Sequence, residues 1–561
     1  MFIVLLVMVA TSGTAPALAQ DYPRYPAVGS TYVPLESWIY PAFERLAGLG
    51  YINSDFRGMK PWTRTECARL AEEAGENLAQ ALRGDEHPGD EVIRLHFALE
   101  REFAAEIDAL GGGRNRAFHL ESAYTRVMSL SGPILNDSFH FGQTIVNDYG
   151  RPSRRGTNVV AGAAFRAAYG PFFAYGRGEY QHSPSAPPLS ENLRALVAQM
   201  DQVSVKPPFS FDEINRFQLL DTYVGINLKN WQLSFGRQSL WWGTAESGGL
   251  LFSNNAEPVN MLRVNRVVPF RPPGFLAILG PVRVDFFVGR LGGHEFPVHP
   301  WIQGLRISAK VTRKLEYAAT HTVVFGGVGR PSGADVFFKT LFPIRSVERS
   351  EQLGDHYFSF DFLYRFTRKV TWYGEFLASD DPAPFFRPSR MAINTGLYFP
   401  RLPWVHKMDL RLEGIYTDSP DNSQGQPSKA FLHYWNFQYK ESYTNNGSIL
   451  GNSIGRAGAA FQAWSTYYFS PSNRLQLNFK RSFKASQLGH PQGFGDSFLP
   501  GGANWTDFSI RHERGLGAGF QARSYLQVER LHYPVLFGFG NRRTNVVVAL
   551  ELSYSGERPG R

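Results

Sequence analysis

Two stretches gather side chains able to grip a polyhydroxylated ligand. The first, residues 236–263, carries Trp241, Trp242, Asn254, Asn255 and Glu257 between Arg237 and Arg263. The second, residues 418–456, carries His433, Tyr434, Trp435, Tyr439, Lys440, Tyr443 and Asn445. Aromatic faces stack on the C–H surfaces of sugars, planar polar groups bond hydroxyls, and guanidinium matches carboxylates. Both stretches also have a structural use. Trp241 and Trp242 would suit an interfacial aromatic girdle or wedge a loop in place. Residues 433–443 would suit a strand continuing above a membrane with packed aromatics.

Covalent chemistry is not indicated. There is no G-x-S-x-G elbow, no H-E-x-x-H, no phosphate loop and no dinucleotide glycine pattern. The single cysteine, Cys67, can form neither an internal disulfide nor a cluster. The 14 histidines are scattered. His294 and His299 share a loop with Glu295 and could hold a metal, although such a trio is more often just a polar loop. A non-enzyme without cofactor or metal centre is the expectation.

Extended segments must carry these loops. In Asn545–Tyr554 the residues Val546, Val548, Leu550, Leu552 and Tyr554 share one side, and Asn545, Ala549, Glu551 and Ser553 the other, with Val547 the apolar exception. The same alternation recurs from residue 118 onward. Leu305, Ile307, Ala309 and Val311 oppose Arg306, Ser308 and Lys310; Leu475, Leu477 and Phe479 oppose Gln476, Asn478 and Lys480. The polar side also carries Arg283, Arg365, Arg411, Arg511 and Arg523 with Asp285, Asp361, Glu375, Asp409, Glu413 and Glu551. Charges of both signs at this density cannot form the dry core of a sandwich. They suit a closed barrel with lipid outside and a wet interior, in which ion pairs stiffen or fill the lumen. A one-sign excess would instead suggest an ion pathway.

Connections alternate short and long. Short turns are expected at 170–171, 229–230, 313–314, 367–369, 471–473 and 514–517, and long loops at 182–217, 240–263, 326–354, 418–456 and 484–503. Outer-membrane barrels keep long loops outside the cell and short turns in the periplasm. About nineteen candidate strands appear, and parity demands an even number. Running the order back from Tyr554 makes 139–147 an upward strand and leaves 118–128 as a periplasmic or partial strand, giving about eighteen. Helix-like runs at Glu191–Met200 and Ala334–Leu341 would fold inward or cap the mouth.

Ahead of the strands the period changes. Leu35, Ile39, Phe43 and Leu46 predict a helix starting near Ser37. Thr63 and Glu66 form a capping box opening a second helix to about Leu82. A third is expected from Asp90 to Leu110, with Ile93, Phe97, Phe103 and Ile107 on its apolar side and Glu100, Arg101, Glu102 and Glu106 solvated. Three such helices bury little alone, so they are expected to pack on the β unit. Residues 1–19 read as a secretion signal: Phe2–Ala10 is apolar and Ala17-Leu18-Ala19 offers a cleavage pattern, without a basic stretch ahead. The expected organisation is a signal peptide at 1–19, a periplasmic helical bundle at 20–117 and a transmembrane barrel with extracellular loops at 118–561. The net charge of +9 points to acidic partners such as phosphorylated lipid headgroups or acidic polysaccharide, or to arginines lining a polar lumen.

Particular strings make the sequence familiar. They are STYVPLESWIYPAFERLAGLGYI at 30–52, MKPWTRTEC at 59–67, FHFGQTIVNDYGRP at 139–152, GRQSLWWGTAESGGLLFSNNAEPVNMLR at 236–263 and WSTYYFSPSNRL at 464–475. Together they resemble the Wzi family of capsule-assembly outer-membrane proteins, over almost the whole mature chain and most specifically at 236–263. One departure is the end: SGERPGR follows Tyr554, where outer-membrane strands often finish on an aromatic. The resemblance implies a barrel of about eighteen strands with a periplasmic helical bundle, and a lectin-like role holding capsular polysaccharide at the cell surface. The expected partners are capsular polysaccharide or exopolysaccharide, outer-membrane lipid and lipopolysaccharide, with contact to polysaccharide export machinery left open. No nucleic acid is expected, and the chain is expected to be a monomer. The alternatives are a porin-like solute channel and, with nothing positive behind it, a barrel hydrolase acting on lipid or glycan.

Overall fold

A computed structural model describes residues 28–84, 87–208, 210–341, 353–379, 390–419, 431–484, 502–538 and 540–556. The proposed signal segment and most of the connection at 484–503 lie outside these residues. Eighteen antiparallel strands close into one barrel. In chain order they begin β1 (Arg116–Leu130), β2 (Gly156–Tyr169), β3 (Phe172–Ser183), β4 (Ile214–Leu228), β5 (Trp231–Gln238) and β6 (Val259–Arg266). They continue β7 (Val282–Arg290), β8 (Trp301–Thr312), β9 (Leu315–Phe325), β10 (Gly354–Thr367), β11 (Val370–Ser379) and β12 (Ala392–Phe399). The last are β13 (Leu410–Tyr416), β14 (Gly458–Ser470), β15 (Asn473–Lys484), β16 (Ala503–Gly517), β17 (Phe520–His532) and β18 (Arg542–Tyr554). Each strand pairs with its neighbours in sequence, and β1 closes the ring against β18, with Ala123 opposite Tyr554 and Leu130 opposite Val547.

The period-two reading holds along the wall. Val548, Leu550 and Leu552 point outward and are about half exposed (53%, 51% and 51%), as lipid-facing residues are in the absence of lipid. Their inward neighbours Val547 and Ala549 are buried, and Val547 packs with Met128 and Leu130. Among the described residues no helix is long and apolar enough to cross a membrane; the closed ring of strands with its outward apolar face is the transmembrane body. One outward patch is covered by the chain itself. Residues 267–281 fold back on the wall, where Phe270 pairs with Val282 and Leu279 packs over Val282, Val284 and Ala309.

The extra strand-like segment is 139–147, not 118–128. Residues 116–130 are a full barrel strand, and 139–147 are not in the barrel. That segment instead forms a small hairpin, Asn136–Asp137 against Gly142–Gln143, inside the first long connection. Its alternation is too short, and Phe139 and Phe141 are both buried in the interior cluster. The turn expected at 514–517 lies at Ala518-Gly519. Residues 433–443 do not extend a strand. Only Phe431–Leu432 pairs, with Asp418–Ser419, and Tyr434, Tyr439 and Tyr443 fold inward while Phe437 stays exposed.

The helical part comprises α1 (Ile39–Gly48), α2 (Arg64–Arg83), α3 (Asp90–Glu102) and α4 (Ala104–Leu110). Thr63 caps α2 by accepting from the Glu66 amide at 3.2 Å. The single helix expected over 90–110 is broken at Phe103. That ring stacks on Phe43 at 6.1 Å and carries the Arg64 guanidinium 4.9 Å above it. The buried face is Val92, Leu95, Leu99 and Phe103, and Phe97 is exposed. Glu102 and Glu106, expected to be solvated, hold the buried Arg64 at 3.0 and 2.7 Å. A buried guanidinium needs such partners, which overrides the simple surface reading.

The helices dock on the short-turn end through named bonds. Arg45 donates to the carbonyls of Pro400 and His406 at 2.6 and 2.8 Å. Arg365 reaches the Ala47 carbonyl at 2.6 Å, and Arg411 pairs with Glu44 at 2.7 Å. Residues 55–60 then enter the barrel. Glu316 accepts the amides of Arg57 and Gly58, and Met59-Lys60 pairs antiparallel with Trp241-Trp242. A Cβ at Gly58 would lie 2.5 Å from Arg306 Nη2, so glycine is what allows this close approach.

Candidate functional site

Carboxylates on the inner wall build the floor of the long-loop end. Glu375 accepts the amides of Ala245 and Leu250, both at 2.8 Å. Glu413 accepts those of Glu246 and Ser247 at 2.6 and 3.0 Å. The connection 239–258 is thereby folded down into the lumen by its own backbone. Around it, wall charges pair internally: Arg306 with Asp361 at 2.7 Å, and Arg523 with Glu551 at 2.9 Å. The interior is filled from both ends, by residues 55–60 and by the long connections.

The two sequence stretches meet here, but mostly below the surface. Trp242 is buried among Phe252 and Phe287, with ring centres at 5.3 and 5.4 Å, and its indole donates to Asp285 at 3.3 Å. Trp241 is buried and lies 5.9 Å from Lys60 Nζ. Asn254 and Asn255 are buried, and their carbonyls bond the amides of Tyr149 and Gly150. Arg263 is buried, paired with Asp285 and stacked 4.4 Å from Tyr32. Tyr434 is buried and donates to the Leu250 carbonyl at 2.7 Å. Tyr439 is buried beneath Arg330. These residues position the mouth and offer a ligand little or no surface.

The surface above them carries different groups. Trp435 is half-buried and Lys440 Nζ sits 5.4 Å over its ring. Its indole nitrogen is buried without a partner among the described residues. Phe437 is 38% exposed, and Phe296 stands beside Lys440, whose amide bonds the Phe296 carbonyl at 3.1 Å. Glu441 accepts the amides of Glu295 and Phe296, and Lys206 pairs with Glu295 at 2.8 Å. Burial draws the Lys440 ammonium below its ordinary pKa, with Asp201 opposing. Nearby, Glu257 is clasped by Arg216 and Arg237, each at 3.0 Å, and by Asn446 at 2.7 Å. Arg216 remains 40% exposed at its side chain. His294, part of the metal-binding alternative, meets the Thr444 carbonyl at 2.9 Å, and no group of three metal-binding side chains occurs among the described residues. His433 is buried, and burial, aided by Arg390, lowers its pKa to about 3.

The mouth is roofed by two helices, α5 (Glu191–Asp201) and α6 (Ala334–Leu341), at the positions expected from sequence. Leu193, Leu196 and Val197 of α5 pack on the interior cluster. Sequence reasoning missed the latch beneath α5. His140 lies between Asp137 (Nδ1, 2.6 Å) and Asp201 (Nε2, 2.8 Å), and Arg456 pairs with Asp201 at 3.1 Å. Only the imidazolium can donate to both carboxylates. Burial opposes the cation, but Asp137 and Asp201 outweigh it and raise the pKa. A raised folded value means that the latch is fully present below the ordinary value of about 6.5 and is lost as pH rises through the folded one. Proteolysis of residues 184–213 is therefore expected to accelerate at alkaline pH, and His140→Gln should remove that pH dependence. A cleavage rate flat with pH in the unsubstituted protein would contradict the latch.

Comparison with known proteins fits this architecture. The family described as capsule assembly protein Wzi matches residues 126–543. Wzi of Escherichia coli, described as an outer-membrane protein involved in group 1 capsule assembly and a carbohydrate-binding β-barrel, is similar in structure. Its TM-score is 0.66 at 14% identity, covering 94% of this chain and 99% of that one. An uncharacterized 55.8 kDa protein of the Klebsiella pneumoniae cps region is 23% identical over 172 residues, so the match spans 34% of that relative's length and 30% of this chain. OprD of Pseudomonas aeruginosa matches with a TM-score of 0.40 at 8% identity, covering 78% of this chain and 95% of that one.

Proposed function

The chain belongs to the capsule assembly protein Wzi family, and from that premise we propose that it is a non-catalytic surface anchor holding capsular or extracellular polysaccharide at the outer membrane. The observation that carries the reading is the exposed layer at the long-loop end: Trp435 under Lys440, with Phe437 and Phe296 alongside and the Arg216–Glu257–Arg237 group nearby. Aromatic faces beside ion-paired guanidinium groups suit a sugar chain that bears carboxylates. In this reading the long loops face the medium, the bundle within 20–117 faces the periplasm, and residues 1–19 direct export. Lipopolysaccharide surrounds the barrel. Trp241, Trp242, Asn254, Asn255, Arg263, Tyr434 and Tyr439 support the binding surface from below. Filling of the lumen by residues 55–60 and 239–258 speaks against a solute channel.

Deleting the gene is expected to release polysaccharide into the medium while its synthesis continues. Cell-bound and free polysaccharide, measured separately, check this. Unchanged cell-bound material would overturn the anchor reading, and steady ion current from the purified chain in planar bilayers would favour a channel.

A further inference from the structure

Outward side chains of β15–β18 align in cross-strand rows. Leu477, Ile510, Leu526 and Val548 form one row, and Phe479, Phe508, Val528 and Val546 the next towards the long loops. The following row is Arg481, Thr506, Arg530 and Thr544, and beyond it come Phe483, Asn504, His532 and Arg542. The apolar wall thus gives way over two rows to three outward arginines. No carboxylate shares these rows. The acids of the same strands lie on the inward side: Asp507, Glu513 and Glu529 are buried, and Glu551 pairs there with Arg523. Arg530 and Arg542 are exposed and have no ion pair among the described residues. Arg481 is held in place: it donates to Thr506 and to Asn504 at 2.9 Å and lies 5.2 Å over the Phe483 ring.

From this geometry we infer that β15–β18 carry a binding site for a phosphorylated glycolipid headgroup of the lipid A class. An arginine at the end of a lipid-facing strand lies at headgroup depth, where it costs little and meets phosphate. Arg481 and Arg530 stand two strands apart, about 10 Å. Arg530 and Arg542 are diagonal neighbours, about 7–8 Å apart. Three planar donors at these spacings can engage two phosphates on one disaccharide headgroup, which a single-phosphate lipid cannot match. The outward orientation of the long loops, taken from the proposed function, places this row in the outer leaflet. Retention of polysaccharide is not required for it.

The test uses the full chain purified in detergent and native mass spectrometry of bound lipid. The probes are bisphosphorylated lipid A, its monophosphorylated form and phosphatidylglycerol. The unsubstituted protein should retain the bisphosphorylated form over the other two. The triple variant Arg481→Gln, Arg530→Gln, Arg542→Gln should lose roughly tenfold or more of that retention, with its heat-modifiable gel mobility and polysaccharide binding intact. Equal retention of all three lipids, or an unaffected triple variant, would overturn the site. Should the triple variant misfold, the selectivity of the unsubstituted protein and the single variant Arg542→Gln, at an exposed strand end, still decide. Loss of polysaccharide binding with lipid selectivity preserved would count against the anchor reading alone.

Discussion

Asp285→Ala is expected to destabilise the folded interior by about 3–5 kcal/mol, because it strands a buried guanidinium. Asp285 and Arg263 are both fully buried and paired through two bonds, at 2.9 and 2.6 Å. Asp285 also receives the Trp242 indole, while Arg263 supports Tyr32 from the chain ahead of the helices. One carboxylate therefore joins wall, inserted loop and N-terminal segment. Removing both charges together leaves no charge unpaired and only the Trp242 indole without its acceptor, so the pair Arg263→Met, Asp285→Leu should cost less than the single change. Thermal unfolding in detergent, followed by heat-modifiable gel mobility, measures this. A single alanine variant as stable as the unsubstituted protein would remove this node from the account of how the interior is held.

Trp435→Ala is expected to weaken polysaccharide binding by about 2 kcal/mol, roughly thirtyfold in Kd, as loss of a central aromatic anchor does. Lys440→Ala, which removes the cation over that ring, should have a smaller effect and make the remaining affinity less sensitive to salt. Trp435 is half-buried, so its truncation opens no deep cavity, and unchanged thermal stability separates lost binding from lost fold. Retention of a defined capsular polysaccharide on the purified protein is the measurement. Full retention by both variants would move the binding face elsewhere on the mouth, with Arg216 and Arg237 the next positions to change.

The barrel was legible because its determinants are local. Alternation needs only two faces in unlike solvents, and Val548–Leu552 displays it without knowledge of any partner. The short turns and the two roofing helices are equally local, as is the Thr63 cap. Strand parity was not local. It failed at 118–147 because a hairpin inserted in the lumen mimics a strand: Phe139 and Phe141 look outward-facing by period and are buried by the loops above them. Phe97 and Glu102 misled for a related reason. The face of α3 is chosen by Phe43 and Arg64, which come from other helices.

The binding residues divide in the same way. Their types, and the two stretches that hold them, could be read directly, since aromatic and amide side chains in long loops are a compositional fact. Which of them stay accessible depended on Glu375 and Glu413 drawing residues 245–250 into the lumen by their amides, so that Trp242 became core and Trp435 became surface. The latch of His140, Asp137 and Asp201 brings residues 61 positions apart into contact, and nothing in their spacing announces it. Sequence alone determined that one side of these strands meets lipid and the other carries charge, because each residue's own solvation preference sets that. Tertiary structure decided which charges pair, which loops fill the barrel and which aromatics remain outside, because those choices lie in contacts between segments tens to hundreds of residues apart.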